Sequence, residues 1–170
     1  VVGHFHHNYL MAHERVADHD PALLAAGAPR QRVWKIRAKH VILATGALER
    51  PLAFTNNDRP NIMLASAVRA LVGRYGVAPG MNGVVFTNND DAYLTALALN
   101  KAGVYVQVVD SRARPNGDLV SHAQADGIVV SLSSVISAVE GTSGVSAVKL
   151  ASYRKGQGRV ISEGKVPADF

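Results

Sequence analysis

Residues 83–109 carry the feature that most constrains the fold, a strand, a helix and a second strand in close succession. The strands are predicted at Gly83–Thr87 and Val104–Val109, and the helix between them at Asp90–Ala102. Two strands that are joined through a helix lie parallel, and the crossover between them is right-handed. The chain is therefore predicted to be α/β with a parallel sheet. The helical residues predicted to face inward are Leu94, Leu97 and Ala98.

The turn between this first strand and its helix has an unusual composition. Asp110 follows the second strand, where a nucleotide-binding βαβ unit holds a ribose hydroxyl. The turn itself, residues 87–91, reads Thr-Asn-Asn-Asp-Asp and lacks the glycines that let backbone approach a pyrophosphate. Asp90 and Asp91 place negative charge at the helix N-terminus, where phosphate would bind. Helix capping by Asn89 or Asp90 is the simpler interpretation. The unit is predicted to keep the architecture of a dinucleotide-binding domain while having lost, or redirected, the binding.

The chain after this unit changes to shorter and more alternating patterns. Residues 116–126 are predicted to form a short helix and residues 128–130 a third strand. Alternation over residues 135–139, 145–152 and 159–162, with glycines between them, is typical of an antiparallel meander. Gly156-Gln157-Gly158 is interpreted as a hairpin turn rather than a phosphate loop, because no helix follows it.

The first half is predicted to contain a different set of elements. Residues 1–16 and 31–38 alternate as two strands of an antiparallel hairpin, with an irregular connection over 22–30. Residues 40–44, His-Val-Ile-Leu-Ala, form a continuous apolar run that predicts a buried parallel strand. Apolar residues over 61–75 follow the period of a helix that Gly76 closes, and residues 77–82 are a predicted boundary.

The net charge of +5 arises in residues 1–80, which hold ten basic against five acidic residues. The basic cluster alternates with apolar residues, mostly at the strand spacing of two, which favours a solvated strand face. The basic residues are Arg30, Arg32, Lys35, Arg37 and Lys39, and the apolar ones are Val33, Trp34, Ile36 and Ala38. Binding of an anionic cofactor or of an acidic partner subunit is the alternative. Stacking aromatics do not interleave with the basic residues in the manner of a nucleic-acid surface, so no nucleic-acid partner is predicted.

Several other classes of site are not expected. The chain has no cysteine, which removes disulfides, thiolate metal sites and cysteine nucleophiles. His4 and His6 would share one strand face, but nothing completes a coordination sphere, so no metal site is predicted. No apolar run approaches the roughly 18 residues that cross a bilayer, and the N-terminus has no signal-peptide pattern. A soluble, cytoplasmic protein without a membrane partner is expected.

The segment 39–47, Lys-His-Val-Ile-Leu-Ala-Thr-Gly-Ala, resembles the Ala-Thr-Gly strand of flavoproteins with two dinucleotide-binding domains. The run from Ala44 to Gly80 and the Asn-Asn-Asp-Asp turn make the match more specific. Together they resemble the alpha subunits of heterotetrameric sarcosine oxidases over essentially the whole chain. The fold implied is a partial FAD/NAD(P)-binding Rossmann-like domain plus an inserted second nucleotide-type βαβ domain with an antiparallel β-meander.

The resemblance implies oxidative demethylation of sarcosine to glycine, with formaldehyde passed to tetrahydrofolate and hydrogen peroxide formed from oxygen. It implies partner beta, gamma and delta subunits, FAD in the beta subunit, FMN at the alpha–beta boundary and a non-redox NAD in the alpha subunit. Related subunits of opine oxidases and amine dehydrogenases share this architecture. The alternative is therefore a non-catalytic scaffold or interaction subunit of such a related oxidase or dehydrogenase.

The resemblance also assigns domains and residues. Residues 1–80 correspond to the trailing part of the first, NAD-binding domain, and residues 82–170 to most of the inserted second domain. The chain is thus expected to be an internal fragment, inactive in isolation and without a catalytic residue of its own. Polar groups of Glu49 and Arg50 could bind the cofactor, with a surface ion pair or a loop contact to segments of the subunit outside this chain as the alternative. The residues predicted to line the dinucleotide are Ala44, Thr45, Gly46 and Ala47, with Gly46 allowing close backbone approach.

Overall fold

The computed structural model describes residues 1–152 and 161–170, and these form two compact units, Val1–Ala47 and Leu48–Phe170. The predicted turn at Gly156-Gln157-Gly158 and the beginning of the strand predicted at 159–162 lie outside the described residues. The assignment of residues 1–80 and 82–170 to two domains of a larger subunit stays a prediction.

The first unit contains an antiparallel three-stranded sheet in the order β1-β2-β3. The strands are β1 (Gly3–Phe5), β2 (Tyr9–Arg15) and β3 (Gln31–Arg37). The predicted pairing of β2 with β3 is confirmed, but the single strand predicted over 1–16 is wrong. His7 and Asn8 have positive φ angles and turn the chain between β1 and β2, so that His6 leaves the strand face on which His4 lies.

A short helix, α1 (Pro21–Ala25), occupies part of the connection that was expected to be irregular. The Asp20 carboxylate accepts hydrogen bonds from the backbone N–H groups of Ala22 and Leu23, at 3.0 and 3.2 Å. Pro21 stands at the first helical position, where its missing N–H costs no hydrogen bond. The Asp-Pro pair is therefore the local sequence signal that the prediction missed.

The buried parallel strand predicted at residues 40–44 is wrong. These residues have no regular secondary structure, and Ile42 and Leu43 are 91% and 69% exposed. A buried strand needs hydrogen-bonding neighbours at both edges and packed layers on both faces. None of the described strands pairs with this segment, so its apolar composition is not matched by burial among the described residues.

The second unit is built on the predicted crossover. Strands β4 (Asn82–Thr87) and β5 (Tyr105–Asp110) are parallel, and helix α3 (Asp91–Lys101) joins them. Helix α4 (Asp118–Ala125) leads to β6 (Val129–Ser131), which extends the parallel sheet in the order β4-β5-β6. The α/β fold class and this part of the topology are confirmed.

The buried face of α3 differs from the predicted one. Tyr93, Ala96 and Leu99 are fully buried, whereas Leu94 is exposed and Leu97 only partly buried. The helix is apolar around most of its circumference, so the periodicity does not select a single face.

Helix α2 (Ala65–Tyr75) packs against α3 and starts later than the predicted residue 61. Asn61 has a φ of 75°, which a helix cannot include, whereas Gly76 at 65° ends the helix as predicted. The packing places α2 at the side of α3 within the second unit.

An antiparallel sheet completes the second unit with β7 (Ser134–Glu140), β8 (Ala147–Ser152) and β9 (Ile161–Pro167). Its apolar side forms a second core with the end of β5. On its surface, the Glu140 carboxylate pairs with the ammonium groups of Lys149 and Lys165, at 2.9 and 2.5 Å. The hydrogen bonds with Lys165 and Lys149 lower the Glu140 pKa to about 2.

Residues 168–170 lie along the beginning of β4. The Asp169 N–H donates to the Asn82 carbonyl at 2.9 Å, and the Val84 N–H donates to the Phe170 carbonyl at 3.1 Å. An added Cβ on Gly83 would lie 2.6 Å from the Phe170 ring, so the close approach of this segment requires glycine there.

Candidate nucleotide-binding site

The carboxyl ends of β4 and β5 meet at one edge of the parallel sheet, where Thr87 and Asp110 are register partners. In open α/β sheets, ligands bind outside this edge. The turn after β4 and the residues after β5 therefore define the candidate site of the second unit.

Side-chain hydrogen bonds order the turn between β4 and α3. The Thr87 side chain is buried, and its hydroxyl donates to the Asn89 carbonyl at 3.0 Å and accepts from the Asn89 N–H at 3.1 Å. The Asn89 side-chain oxygen then accepts from the Asp91 N–H at 3.0 Å, while Asp90 makes no capping bond with its side chain. Of the two predicted capping residues, the structure selects Asn89.

Asp110 is the central acid of the site and is 0% exposed. One of its oxygens accepts from the Tyr93 hydroxyl at 2.9 Å. The Arg112 guanidinium donates to both oxygens, with Nε at 3.0 Å from Oδ1 and Nη2 at 2.7 Å from Oδ2. The Arg112 N–H adds a bond of 2.9 Å. The carboxylate that the sequence placed at a ribose position is thus bound by side chains of the protein itself.

Arg112 joins Asp110 to the turn before α3, because its Nη1 lies 2.7 Å from Oδ1 of Asp90. Its hydrogen bond with Asp110 raises the pKa of Arg112, burial opposes this, and the contact with Asp90 adds to it. Burial raises the pKa of Tyr93, and the hydrogen bond to Asp110 raises it further. Arg112 stays a cation and Tyr93 a hydrogen-bond donor, which keeps the buried Asp110 charge compensated.

The neighbouring acid has a different partner. Asp91 pairs with Arg69 of α2 at 3.2 Å, and its side chain is 68% exposed against 40% for Asp90. Both acids at the N-terminus of α3 are therefore paired within the protein, one in the network around Asp110 and one at the surface.

Four of the residues predicted to line a dinucleotide are exposed and lie in the first unit: Ala44, Thr45, Gly46 and Ala47. Their backbone groups form no hydrogen bond within the described part of the chain. Gly46 has a φ of 67°, and no atom of the described residues lies within 4 Å of a Cβ added there. Glycine is thus required by the backbone conformation at this position, and a role in close approach to a cofactor stays a prediction.

Glu49 lies in the second unit and binds the beginning of α2. Its two carboxylate oxygens accept from the N–H groups of Ala65 and Ser66, at 2.9 and 2.8 Å. Burial acts to raise the Glu49 pKa, but the hydrogen bonds from Ser66 and Ala65 outweigh it and hold the pKa below 4.5. This contact within the chain was not among the interpretations that the sequence offered, and a role of Glu49 in cofactor binding stays a prediction. Arg50 is exposed and has no hydrogen-bond partner among the described residues.

Two further features bear on the expected partners. No helix in residues 1–152 or 161–170 is long and apolar enough to cross a membrane. The same residues contain no group of three or more histidine or carboxylate side chains that could hold a metal ion.

Two solved structures with a similar fold are reductases. Thioredoxin reductase of T. acidophilum matches 81% of this chain and 48% of its own, with a TM-score of 0.54 and 15% identity. The ferredoxin reductase of the CYP199A2 system from Rhodopseudomonas palustris matches 80% of this chain and 34% of its own, with a TM-score of 0.51 and 20% identity. The class is therefore that of proteins with a partial FAD/NAD(P)-binding, Rossmann-like fold.

Curated relatives define the particular family within that class. Sarcosine oxidase subunit alpha of Corynebacterium sp. (strain P-1) is 41% identical over 164 residues, which is 96% of this chain. The subunit alpha of Rhizobium meliloti (strain 1021) is 49% identical over 113 residues, or 65% of this chain. The resemblance is confirmed, and the chain is related to a segment of sarcosine oxidase alpha subunits. It spans 17% and 11% of the lengths of these two relatives. No protein-family model matches the chain.

Proposed function

We propose that the chain is part of a multisubunit flavin-dependent oxidoreductase that demethylates sarcosine oxidatively. The observation that carries this proposal is the 41% identity to a sarcosine oxidase subunit alpha over 96% of the chain. The reaction forms glycine and hydrogen peroxide and passes formaldehyde to tetrahydrofolate. The partners are beta, gamma and delta subunits, which complete a heterotetramer that also carries FAD and FMN. We assign no catalytic side chain to this chain.

The part proposed for this chain in that complex is to bind NAD. The backbone of residues 44–47 is exposed and has no hydrogen-bond partner in the part of the chain that the structure describes. Gly46 has a left-handed conformation and presents no side chain to a ligand. These features fit a dinucleotide whose polar groups hydrogen-bond to the backbone. Glu49 contributes by holding the beginning of α2. Arg50, which has no hydrogen-bond partner among the described residues, is the cation for an anionic cofactor group. When bound, NAD has a structural role without redox chemistry.

The test is mass spectrometry of the dinucleotide retained by the full-length subunit in its assembled complex. We expect NAD in the purified complex, and a marked loss of NAD when Gly46 is replaced in Gly46→Ala. The matched control is Gly27→Ala, since Gly27 also has a positive φ, of 83°, and an open Cβ position in the same unit. A correctly assembled complex without any dinucleotide, or an equal loss of NAD in both variants, would contradict the proposal.

The substrate is tested separately, by peroxide formation from sarcosine in the assembled complex. Turnover of sarcosine is expected. Turnover of an opine or of another secondary amine, without turnover of sarcosine, would instead identify a related oxidase or dehydrogenase.

A second candidate function concerns the β4–α3–β5 unit alone, as a nucleotide-free scaffold for interactions within the complex. It is favoured by the two carboxylates at the N-terminus of α3, which repel the phosphate that a helix N-terminus otherwise attracts. Calorimetric titration with NAD is expected to show no binding at this unit. Micromolar affinity that substitutions within residues 88–93 abolish would refute the scaffold function.

A further inference from the structure

We propose that Asp90 and Arg112 form a latch that holds residues 111–117 on the beginning of α3. In a nucleotide-binding unit, the bound ligand covers the sheet edge at the carboxyl ends of the strands. Here the latch between Asp90 and Arg112 orders this edge instead. The inference rests on the second candidate function and specifies how the scaffold keeps its structure without a ligand.

The Arg112 guanidinium lies between two segments of the second unit. It donates to Asp110 at the end of β5 and lies 2.7 Å from the Asp90 carboxylate before α3. In a dinucleotide-binding unit, the acid after the second strand binds a ribose and the helix N-terminus binds a pyrophosphate. Here, Asp90 supplies the negative charge at the helix and Arg112 takes the hydrogen-bonding capacity of Asp110. Side chains of the protein thus take the place of both the ribose and the pyrophosphate.

The loop at residues 111–117 packs against the turn that precedes α3. A Cβ added to Gly117 would lie 2.5 Å from Oδ2 of Asp90, so the end of the loop lies directly against this carboxylate. At the beginning of the loop, the Ser111 N–H donates to the Thr87 carbonyl at 3.0 Å. The loop is therefore held at both ends by the turn that precedes α3.

Burial of Asp110 determines where Arg112 binds. Asp110 is fully buried, and a buried carboxylate needs an oppositely charged, hydrogen-bonded partner. Arg112 is therefore fixed on Asp110, and its remaining Nη1 group is presented to Asp90. The Asp90 contact is the part of the network that can be removed without leaving Asp110 uncompensated, which makes Asp90 the residue to test.

The experiment measures amide hydrogen exchange by mass spectrometry in the full chain, without nucleotide, for Asp90→Asn and Asp91→Asn. Asp91 is the matched control, because it is the adjacent carboxylate at the same helix N-terminus and pairs with Arg69 instead. Within the part of the chain that the structure describes, the hydrogen-bonded amides of the loop are those of Ser111 and Arg112. We expect Asp90→Asn to speed exchange of these two amides about tenfold, equivalent to about 1.4 kcal/mol. The control is expected to leave the rates of this loop unchanged.

Two further measurements, on a Gly117 variant and with added nucleotides, distinguish a failure of the latch from a failure of the nucleotide-free scaffold. Gly117→Ala displaces the loop from Asp90 while it keeps every charge, and is expected to speed exchange of the same two amides. If both Asp90→Asn and Gly117→Ala exchange at the wild-type rate, or if Asp91→Asn has the same effect as Asp90→Asn, the latch is refuted. Added NAD, NADP or ADP is expected to leave exchange of the wild-type loop unchanged. Protection by one of these nucleotides, with the latch results as expected, would refute the nucleotide-free scaffold alone.

Discussion

Replacing Glu49 by glutamine tests whether this residue holds a helix or a cofactor. In the structure, its two carboxylate oxygens accept hydrogen bonds from the first N–H groups of α2. Glutamine keeps the length of the side chain, but it removes the charge and one of the two acceptors. The expected result is a less stable helix α2 with the rest of the second unit unchanged.

The magnitude follows from the two bonds and from the position of the charge. Loss of a capping side chain costs about 0.5–2 kcal/mol, and a negative charge near a helix N-terminus contributes about 0.3–1 kcal/mol. Glu49 is exposed, so solvent screens its charge, and glutamine can still accept one bond. We therefore expect Glu49→Gln to lower the free energy of unfolding by about 1 kcal/mol. This corresponds to a shift of about 0.5 M in the urea midpoint.

The assay is urea unfolding followed by circular dichroism in the helical region, with amide exchange of residues 65–75 as the local readout. Tryptophan fluorescence is unsuitable, because the single tryptophan, Trp34, lies in β3 of the first unit. The control is Asp58→Asn, which removes an exposed carboxylate that has no hydrogen-bond partner among the described residues. The control is expected to unfold at the wild-type urea concentration.

The pH dependence gives a second check. The folded pKa of Glu49 lies below its ordinary value of 4.5, so its contribution is complete above that pH and is lost as the pH falls through the folded pKa. The difference between wild type and Glu49→Gln should therefore shrink on acidification. Equal midpoints for Glu49→Gln and Asp58→Asn would refute the capping role. Loss of NAD without any change in unfolding would instead support the cofactor role.

Three other substitutions test the cores and the sheet surface of the second unit. Tyr93→Phe removes a hydrogen bond to the buried Asp110 and should cost about 1–3 kcal/mol in urea unfolding, and an unchanged midpoint would contradict the bond. Glu140→Gln should abolish a stabilisation that wild type has above pH 4.5 and loses as the pH falls towards about 2, which carboxyl titration by NMR can follow. Gly83→Ala should cost about 1–3 kcal/mol, because the added Cβ forces the Phe170 ring aside, and an unchanged midpoint in thermal unfolding would contradict the close packing of this ring.

The elements that were predicted correctly from the sequence are determined by residues close to one another along the chain. The β4–α3–β5 crossover and the Gly76 helix end follow from local periods and from one residue type. The segment at residues 40–44 was predicted wrongly for the converse reason. Its apolar run indicates that these side chains favour burial, but it does not indicate which other elements would cover them. The same ambiguity applies to α3, where apolar residues on several sides allowed the wrong face to be chosen.

The candidate site was predictable in composition but not in its contacts. Acids were expected at the start of α3, but Arg112 was not singled out, although it lies two residues after Asp110 and so within reach of it. The contact of Glu49 with Ser66 had no local signal, because it joins residues 17 positions apart through a folded loop. Long-range contacts of this kind depend on the tertiary arrangement of the elements, which a periodic pattern does not contain.

Asp90 and Asp91 are adjacent acids at the start of α3, but each forms an ion pair with a different arginine. Successive residues at the start of a helix point in directions about 100° apart, as 3.6 residues per turn require. Asp90 therefore reaches Arg112 above the sheet edge, while Asp91 reaches Arg69 on the neighbouring helix. An acid pair in place of glycines would by itself only repel phosphate. Because each acid has its own arginine, the same pair also connects α3 to α2 on one side and to the end of β5 on the other. The residues that stand where a nucleotide-binding turn has glycines thus also connect α3 to its neighbours.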